Sequence, residues 1–502
     1  MSETSSNCLN PLVAAIGKPA SEFTKADLIR YVENEEIRMA NFMYPASDGR
    51  LKSLNFVIPD SEYLEAILTY GERVDGSSLF PFIEAGSSDL YVVPRFRTAF
   101  MDPFAELPTL CFLCSYFDKD GNRLQSAPDY TLHKSAEAFK QVTGMEFEAM
   151  GELEYYVIAE AQDSFAATDQ KGYHESAPFA KFNGFRTMCM DLIARAGGAV
   201  KYGHSEVGNF TLDGKIYEQN EIEFLPTNAP DAADQLVLAK WIIRNLAYEY
   251  GLDVTFAAKI TVGKAGSGMH VHMRIMKDGV NQVLDPSRGV LSDTARRAIA
   301  GLMELAPSIT AFGNANPSSF LRLVPHQEAP TSVCWGDRNR SVLVRVPLGW
   351  TSGKDMSSQV NPLEKPVHGM PIQKQTFEMR SPDASADVYL LLAALAVACR
   401  HGLEMKDALP LAEKTYVDVN IHRAENRAKM EALDHLPGSC AASAVRLQEQ
   451  RGVYEQYDVF TPGTVDGVIK MLESYGDAGL RVELEKHPEK MQELVDRYFY
   501  CG

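Results

Sequence analysis

Six short stretches of the sequence could place acidic or imidazole side chains together on one face of a β-strand. They are Glu152–Glu154, His204–Glu206, Glu221–Phe224, His270–His272, Arg340–Arg345 and Glu378–Arg380. Because strand side chains alternate faces with a period of two, Glu152 and Glu154 share one face while the apolar residue between them points to the other. Inward-facing carboxylates repel one another and lose hydration, at a cost of several kcal/mol per uncompensated charge. The pattern therefore predicts a site for divalent cations, with nearby arginines as further positive charge.

The sequence before residue 125 predicts a short extension and a small α+β unit. Residues 1–24 are polar with little periodicity and predict an N-terminal extension. Beyond them the pattern predicts helices at 25–33 and 60–70 and strands at 37–42, 53–58, 90–93 and 110–116. A polar stretch at 125–131 predicts the linker, so the first domain covers 25–125 and the second 126–502.

All six stretches lie in the second domain. Five are on predicted strands, and the sixth comes just before a long apolar helix. Helices are predicted at 132–143, 183–196, 229–250, 296–311 and 386–403, and strands at 146–158, 254–261 and 268–275, with a hairpin-like segment at 200–226 and a strand pair ending at 346. The remainder is helical and polar. We therefore expect an α+β fold in which strands carry the site.

The composition argues against several classes of function. A net charge of −18 disfavours a nucleic-acid surface or a polybasic membrane contact, since both need clustered Lys or Arg. No apolar run approaches the roughly 20 residues of a membrane span, and the N-terminus lacks a signal-peptide pattern. The eight cysteines are scattered through mostly apolar surroundings, which is typical of reduced thiols in the cytoplasm. Cys111 and Cys114 form a CxxC pair, but without a second pair it is a weak zinc or redox candidate.

From residue 26 to the C-terminus the chain resembles the glutamine synthetase family, most closely its bacterial class I enzymes. The motifs that carry the resemblance, in matching order and spacing, are Asp75-Gly76-Ser77-Ser78, Thr98–Phe104, Gly266–His272, Arg322–Pro325, Glu328–Pro330, Arg338–Ser341, Arg345–Pro347 and Glu378–Asp383. The resemblance implies a small N-terminal β-grasp-like domain and a large catalytic domain. In the latter, a curved antiparallel sheet, or half-barrel, is backed by helices.

The resemblance also implies two or more divalent cations in each active site. Glu154, Glu206 and Glu221 would hold one cation. Glu152, His270 and Glu378 would hold another, which bridges the phosphates of ATP. Oxygen-rich ligation with a single imidazole suits Mg²⁺ or Mn²⁺ better than zinc.

Substrate contacts are implied in the same way. Arg340 and Arg345 resemble the arginines that clamp phosphates, and His272 joins them at the ATP. Substrate binding would involve Gly266, Arg322, Arg380, Tyr173 and Ser78. Among the catalytic residues, Asp75 resembles the base that takes a proton from ammonium, Glu328 the flap glutamate over the acyl phosphate, and Arg340 and Arg380 the stabilising cations.

The implied reaction is the ATP-dependent formation of an amide from glutamate and ammonia through a γ-glutamyl phosphate. A cytoplasmic homo-oligomer of two stacked hexameric rings is expected. Some residues depart from the family pattern: Ala265 replaces the Asn near the glutamate amino group, Arg274 replaces a serine, Lys201 replaces a nucleotide-side glutamate, and the segment 207–220 is longer. Two alternatives remain open, a γ-glutamyl ligase for a polyamine or another amine and a non-catalytic structural oligomer.

Overall fold

Two β-sheets carry the fold, as seen in a computed structural model of the chain. The structure describes residues 9–80, 83, 88–162, 164–261, 263–285, 287–324, 329–349, 355–366, 374–419, 426, 431, 433–487 and 489–502. The strands of the first sheet are β1 (Met39–Pro45), β2 (Leu51–Val57), β3 (Glu72–Asp75), β4 (Asp89–Pro94), β5 (Phe100–Met101) and β6 (Thr109–Phe117). Their order is β2-β1-β6-β4-β3 with β5 beside β6, and β1 runs parallel to β6.

Strand β6 separates two hydrophobic cores. Leu110 and Phe112 face the core of the first domain, whereas Cys111 and Leu113 face the core of the second. This is why the strand reads as a continuous apolar run rather than an alternating one. Cys111 and Cys114 are three residues apart, so they lie on opposite faces of the strand, both buried. Burial raises the pKa of both thiols, and the pair has the properties of core residues.

A short helix lies within the predicted extension. The first three helices are α1 (Pro11–Ile16), α2 (Lys25–Asn34) and α3 (Ser61–Tyr70). The Asn10 side chain caps α1 by accepting a hydrogen bond from the backbone N–H of Leu12, and Gly17 ends the helix in the left-handed region. Leu12 is fully buried in the first core. One turn and a half of helix gives too little periodicity to be recognised from sequence.

The second sheet carries the acidic stretches. Its strands are β7 (Glu146–Glu160), β8 (Val200–Leu212), β9 (Lys215–Phe224), β10 (Thr227–Asn228), β11 (Asp253–Thr255), β12 (Met269–Lys277), β13 (Val280–Asn281), β16 (Trp335–Asp337), β17 (Val344–Val346) and β18 (Phe377–Met379); β14 (Leu284–Asp285) and β15 (Val290–Leu291) form a separate hairpin. The main order is β16-β17-β18-β12-β7-β9-β8. This curved, largely antiparallel half-barrel and the β-grasp domain confirm the predicted α+β fold class.

Further helices follow in the second domain, and several of them pack against the apolar face of the second sheet. They are α4 (Pro128–Thr143), α5 (Asn183–Arg195), α6 (Ala229–Glu249), α7 (Asp293–Gly313), α8 (Ser319–Arg322), α9 (Ser357–Val360), α10 (Val388–Glu404), α11 (Ala408–Thr415), α12 (Cys440–Glu455), α13 (Pro462–Ser474), α14 (Leu480–Lys486) and α15 (Lys490–Tyr498). Helix α6 lies directly on β7. The contact is so close that a Cβ on Gly151 would come within 2.8 Å of the Leu236 side chain. With that face packed, the polar face of the sheet is left for the site.

A buried ion pair joins the two domains. Arg95 of the first domain donates two hydrogen bonds, of 2.7 and 2.8 Å, to the carboxylate of Asp234 on α6. Tyr389 on α10 donates a third, at 2.7 Å. Burial on its own raises the pKa of Asp234, but Arg95 outweighs it and holds the pKa below its usual value. The first domain is therefore fixed to the helices that back the second sheet.

Within the described ranges, no single helix has both the length and the apolar composition of a membrane span. Helices α10 and α11 meet that test only together, across a bend of 115°.

Candidate active site

The register of the second sheet brings the acidic and imidazole residues side by side. Directly opposed pairs are Arg345 with Glu378, Glu378 with His272, His270 with Glu152, Glu152 with Glu223, Glu154 with Glu221, and Glu221 with His204. Opposed residues on antiparallel strands have Cβ atoms about 4.5–5.5 Å apart. A continuous band of ionisable side chains therefore crosses six strands.

His272 is the centre of a first cluster. Its Nε2 lies 2.9 Å from Glu152 Oε1 and 2.7 Å from Glu378 Oε2, and its Nδ1 lies 2.8 Å from Thr376 Oγ1. Burial on its own lowers the pKa of His272, but the two carboxylates outweigh it and raise the pKa to about 10. Burial likewise raises the pKa of Glu378, whereas His272 lowers it to about 2. An imidazolium here supplies the positive charge that a metal ion could also supply.

The neighbouring His270 faces the same carboxylate from the other side. Its Nδ1 lies 2.9 Å from Glu152 Oε2, and its Nε2 lies 3.5 Å from Arg322 Nη2. The group of ligand atoms within 4.8 Å of one another consists of Glu152, His272 and Glu378. The structure thus brings His272, predicted to contact ATP, closer to Glu378 than the predicted ligand His270.

A second cluster contains His204, Glu206 and Glu221, whose ligand atoms also lie within 4.8 Å of one another. His204 Nε2 is 3.3 Å from Glu221 Oε1. Burial, and then repulsion from neighbouring carboxylates, raises the pKa of Glu221 well above its usual range. Glu221 is therefore a buried acid in need of positive charge. His204 was not among the predicted ligands, although its spacing of two from Glu206 on one strand was the signal for it.

Glu154 stands across from Glu221 but is held by protein donors. Its Oε2 accepts hydrogen bonds from the backbone N–H of Gly268 at 2.6 Å and from Gln219 Nε2 at 3.1 Å. Burial is the main cause that raises its pKa. Gln219 also donates to the carbonyl of Gly266 at 3.0 Å. The predicted ligand thus anchors the glycine-rich turn before β12.

That turn makes room for Arg322. A Cβ on Gly268 would lie 2.3 Å from Arg322 Nη2, and a Cβ on Gly266 would lie 2.6 Å from the Ala258 carbonyl. Arg322 is buried and donates to the carbonyls of Ser381 at 2.8 Å and Arg380 at 3.2 Å. The glycines are therefore required by the packing of an arginine beside His270.

Two more arginines converge on Glu378. Arg345 Nη1 donates to Glu378 Oε1 at 3.0 Å, and Arg380 Nε lies 3.4 Å from the same oxygen. The Arg380 guanidinium also donates to the carbonyl of Arg340, whose own side chain is exposed. Arg345 Nε is buried and has no hydrogen-bond partner among the described residues. A buried, unsatisfied guanidinium N–H suits an anion such as a phosphate.

The residues predicted to act on the amine substrate, Asp75, Ser78 and Tyr173, lie in two places. Asp75 is exposed, and its oxygens accept from the Ser78 hydroxyl at 2.6 Å and the Ser77 hydroxyl at 2.7 Å. These hydroxyls, Ser78 first, lower the pKa of Asp75 to about 2. Tyr173 instead lies at the second cluster, with its ring 5.6 Å from that of His204. The predicted flap residue Glu328 lies outside the described residues.

The segment that carries Tyr173 presses against β8. A Cβ on Gly172 would lie 2.4 Å from the Glu206 carbonyl, so only glycine allows this approach. The Tyr173 ring stacks on His174 at 4.1 Å, and His174 in turn lies 4.3 Å from His204. Tyr173 is half exposed. An aromatic surface therefore borders the second cluster.

The three positions that depart from the family pattern, Ala265, Arg274 and Lys201, each contact other residues of the chain. Arg274 binds Glu148 through Nε at 2.6 Å and Nη2 at 2.5 Å. Lys201 Nζ lies 2.5 Å from Glu223 Oε1. The Ala265 N–H donates to Gln170 at 2.8 Å, and its carbonyl accepts from the Tyr156 hydroxyl at 2.9 Å. All three positions have structural roles, and Arg274 and Lys201 carry a different charge from the family pattern.

The donor set suits a hard divalent cation. Both clusters consist of carboxylate oxygens and one imidazole each, and Glu221 lacks sufficient counter-charge. Mg²⁺ and Mn²⁺ prefer such oxygen-rich ligation, whereas zinc prefers thiolates and several imidazoles. The residues therefore fit the cations expected for the resembled family.

Comparison with known proteins identifies the family. Residues 125–474 match the model of the glutamine synthetase catalytic domain, and residues 36–119 match that of the glutamine synthetase β-grasp domain. A glutamine synthetase of Frankia alni is 30% identical over 477 residues, covering 88% of this chain and 94% of that protein. One of Thermus thermophilus is 28% identical, covering 86% and 91%.

Solved structures share the fold at lower identity. A Plasmodium falciparum glutamine synthetase has a TM-score of 0.74 at 20% identity, covering 91% of this chain and 97% of its own. Apo GmaS has a TM-score of 0.71 at 18% identity, with the same coverage. On the family matches and the relatives together, the chain belongs to the glutamine synthetase family of ATP-dependent ligases.

Proposed function

We propose that the chain is a glutamate–ammonia ligase that uses ATP and proceeds through a γ-glutamyl phosphate. The observation that carries the proposal is the cross-strand register. It sets the cluster of Glu152, His272 and Glu378 beside Arg345, on the same sheet as the cluster of His204, Glu206 and Glu221. Phosphate chemistry and amine chemistry therefore have adjacent places on one surface.

Phosphoryl transfer would take place at the first cluster. A carboxylate is a poor acylating agent until its oxygen is phosphorylated, so the γ-phosphoryl group of ATP is transferred first. Arg345 and Arg380, which both contact Glu378, would bind phosphate oxygens and stabilise the charge that develops on them. Divalent cations held by residues of the two clusters, with Glu154 and His270 beside them, would neutralise phosphate charge when bound. Arg322 would hold a substrate carboxylate.

The acceptor step would depend on Asp75. With a pKa of about 2, Asp75 in a single chain holds ammonium by charge better than it takes a proton. Desolvation raises the pKa of a carboxyl group. Asp75 is exposed and accepts hydrogen bonds from Ser77 and Ser78 of its own loop, so we propose that the loop completes the site of a neighbouring subunit. Burial there would make Asp75 a better base.

The experiment is product identification with ATP, Mg²⁺, glutamate and ¹⁵N-labelled ammonium. We expect ¹⁵N-amide glutamine in an amount equal to the phosphate released. Glu378→Gln is the matched control, because it keeps the size of the side chain while removing its charge. ATP hydrolysis without amide product would contradict the proposal and favour a ligase of different specificity, whereas no turnover of ATP at all would favour the non-catalytic alternative.

A γ-glutamyl ligase for a larger amine is the second candidate, and one observation favours it. Tyr173 and Tyr202 are 50% and 45% exposed beside His204. Aromatic faces attract alkylammonium groups through cation–π and apolar contact, and bare ammonium needs no such area. Ala265, smaller than the usual Asn, also leaves more space at the glycine-rich turn before β12.

A further inference from the structure

A third group of carboxylates lies between the two clusters. Ligand atoms of Glu152, Glu221 and Glu223 lie within 4.8 Å of one another. Glu152 also belongs to the first cluster and Glu221 to the second, so this group joins them. Glu223 itself was not predicted as a site residue. We call Glu152, Glu221 and Glu223 the bridging cluster.

Glu223 contributes a buried carboxylate with one unsatisfied oxygen to this group. Its side chain is 3% exposed, and its Oε2 has no hydrogen-bond partner among the described residues. A buried carboxylate oxygen without a donor is costly unless a positive charge lies near it. The bridging cluster is therefore a place for a cation and not merely a collection of acids.

A β-bulge supplies that cation from the chain itself. Val200 pairs with Phe224 and Tyr202 pairs with Glu223, which leaves Lys201 as the extra residue of β8. A bulge turns the extra residue away from its regular alternation. Here it brings Lys201 Nζ to 2.5 Å from Glu223 Oε1, and the same ammonium lies 4.9 Å from the centre of the Tyr202 ring. Two contacts thus hold the ammonium beside Glu223, a member of the bridging cluster.

We propose that Lys201 is a tethered cation that occupies the bridging cluster in place of a divalent metal ion. Its ammonium balances Glu223 and excludes a metal ion from the space between the two main clusters. The chain therefore binds one divalent cation fewer than its carboxylates could hold. Without Lys201, the bridging cluster takes up a metal ion. The inference concerns the same surface as the proposed ligase, but it does not depend on the acceptor or on turnover.

The test is the number of Mn²⁺ ions bound by the full-length protein without substrates, measured by equilibrium dialysis and by the electron paramagnetic resonance signal of free Mn²⁺. We expect Lys201→Ala to bind one more Mn²⁺ per chain than the wild type. Lys201→Arg should keep the wild-type number, and Lys201→Ala combined with Glu223→Gln should return to it. Lys140→Ala, which removes the exposed partner of Glu146, is the matched control and should change nothing.

An unchanged number of ions in Lys201→Ala would overturn the inference. If that variant does not fold, a measurement on the wild type alone still tests the inference. Anomalous diffraction from Mn²⁺-soaked wild-type crystals should show no peak among Glu152, Glu221 and Glu223, and a peak there would also overturn it. Failure of the proposed ligase function would be detected by product analysis. The measurements of Mn²⁺ binding do not depend on that result.

Discussion

Glu378 is the residue on which imidazole and guanidinium charge converge. It is 1% exposed, and His272, Arg345 and Arg380 all contact its carboxylate. Removing one partner of a buried ion pair costs about 3–5 kcal/mol, because the remaining charges stay buried. Glu378 is thus important for the stability of the metal-free site as well as for the proposed metal binding.

We expect Glu378→Gln to lose at least about 100-fold in kcat, since even changes in residues behind metal ligands cost about 10–100-fold. It should also unfold at a lower denaturant concentration when metal is absent. Steady-state rates and urea unfolding, with and without Mg²⁺, measure both effects. Near wild-type kcat at saturating Mg²⁺ would show that the residue is not a ligand.

A pH dependence of stability follows from His272. The pKa of His272 is raised to about 10 in the folded chain. The stabilisation by protonated His272 is therefore fully present below the pKa of the unfolded chain, near 6.5, and is lost as the pH rises through 10. The free energy of unfolding should fall by up to about 1.4 kcal/mol per pH unit in that window. Urea unfolding of EDTA-treated wild type and His272→Gln gives the difference. If the free energy of unfolding changed with pH in the same way in both proteins, the raised pKa of His272 would be contradicted.

At the scale of elements, local pattern was enough for the long helices and strands. The predicted helix at 229–250 is α6 (Ala229–Glu249), and the predicted strand at 146–158 is β7. Polar–apolar alternation on β7 also pointed to a charged face. The predicted strand at 254–261 was too long, because only Asp253–Thr255 pairs with β7. An apolar run alone does not reveal where pairing stops.

The arrangement of the site was less accessible from sequence. Which strands are neighbours, and in what register, depends on contacts between distant residues. The closeness of His272 to Glu378 and of Glu223 to Glu152 follows from that register. The bulge at Lys201 has no local signal. The residue types of the site could be predicted, but their grouping into clusters could not.

The glycine turn before β12 gives a prediction at this scale. Gly268→Ala must displace the Arg322 guanidinium, since its Cβ would lie 2.3 Å from Nη2. We expect the KM for glutamate to rise at least about 10-fold, the size expected for one weakened charged contact, with little change in the KM for ATP. Gly184→Ala is the control, because nothing lies within 4 Å of its added Cβ. An unaltered KM for glutamate in Gly268→Ala would show that Arg322 does not bind the substrate carboxylate.

At the scale of the whole molecule, Arg95 links the domains. Arg95→Ala removes the bidentate partner of the buried Asp234 but leaves Arg97 Nη2, at 2.8 Å, and the Tyr389 hydroxyl in contact with it. We therefore expect a loss of about 1.5–3 kcal/mol in the free energy of unfolding, the size expected for hydrogen bonds to a charged group. Urea unfolding measures it, with Arg73→Ala, which removes an exposed pair with Asp89, as the control. Equal stability of both variants would mean that the domains are held mainly by the apolar contacts that the two faces of β6 make with the two cores.

The proposed shared site also predicts assembly. We expect a discrete large species, two stacked hexameric rings, because a repeated contact closes only at a fixed rotation. Sedimentation of the active enzyme measures its mass. A fully active monomer would contradict the proposal that the Asp75 loop serves a neighbouring subunit.

The central claim, that ammonia is the acceptor, is tested most directly by kcat/KM for ammonium, hydroxylamine and a diamine at saturating glutamate and ATP. The wild type should prefer ammonium to the diamine. Asp75→Asn should lose about 100-fold with ammonium, the lower range for a general base, and recover much of it with hydroxylamine, which is largely neutral at pH 7. A wild-type preference for the diamine would contradict the claim and identify a γ-glutamyl–amine ligase.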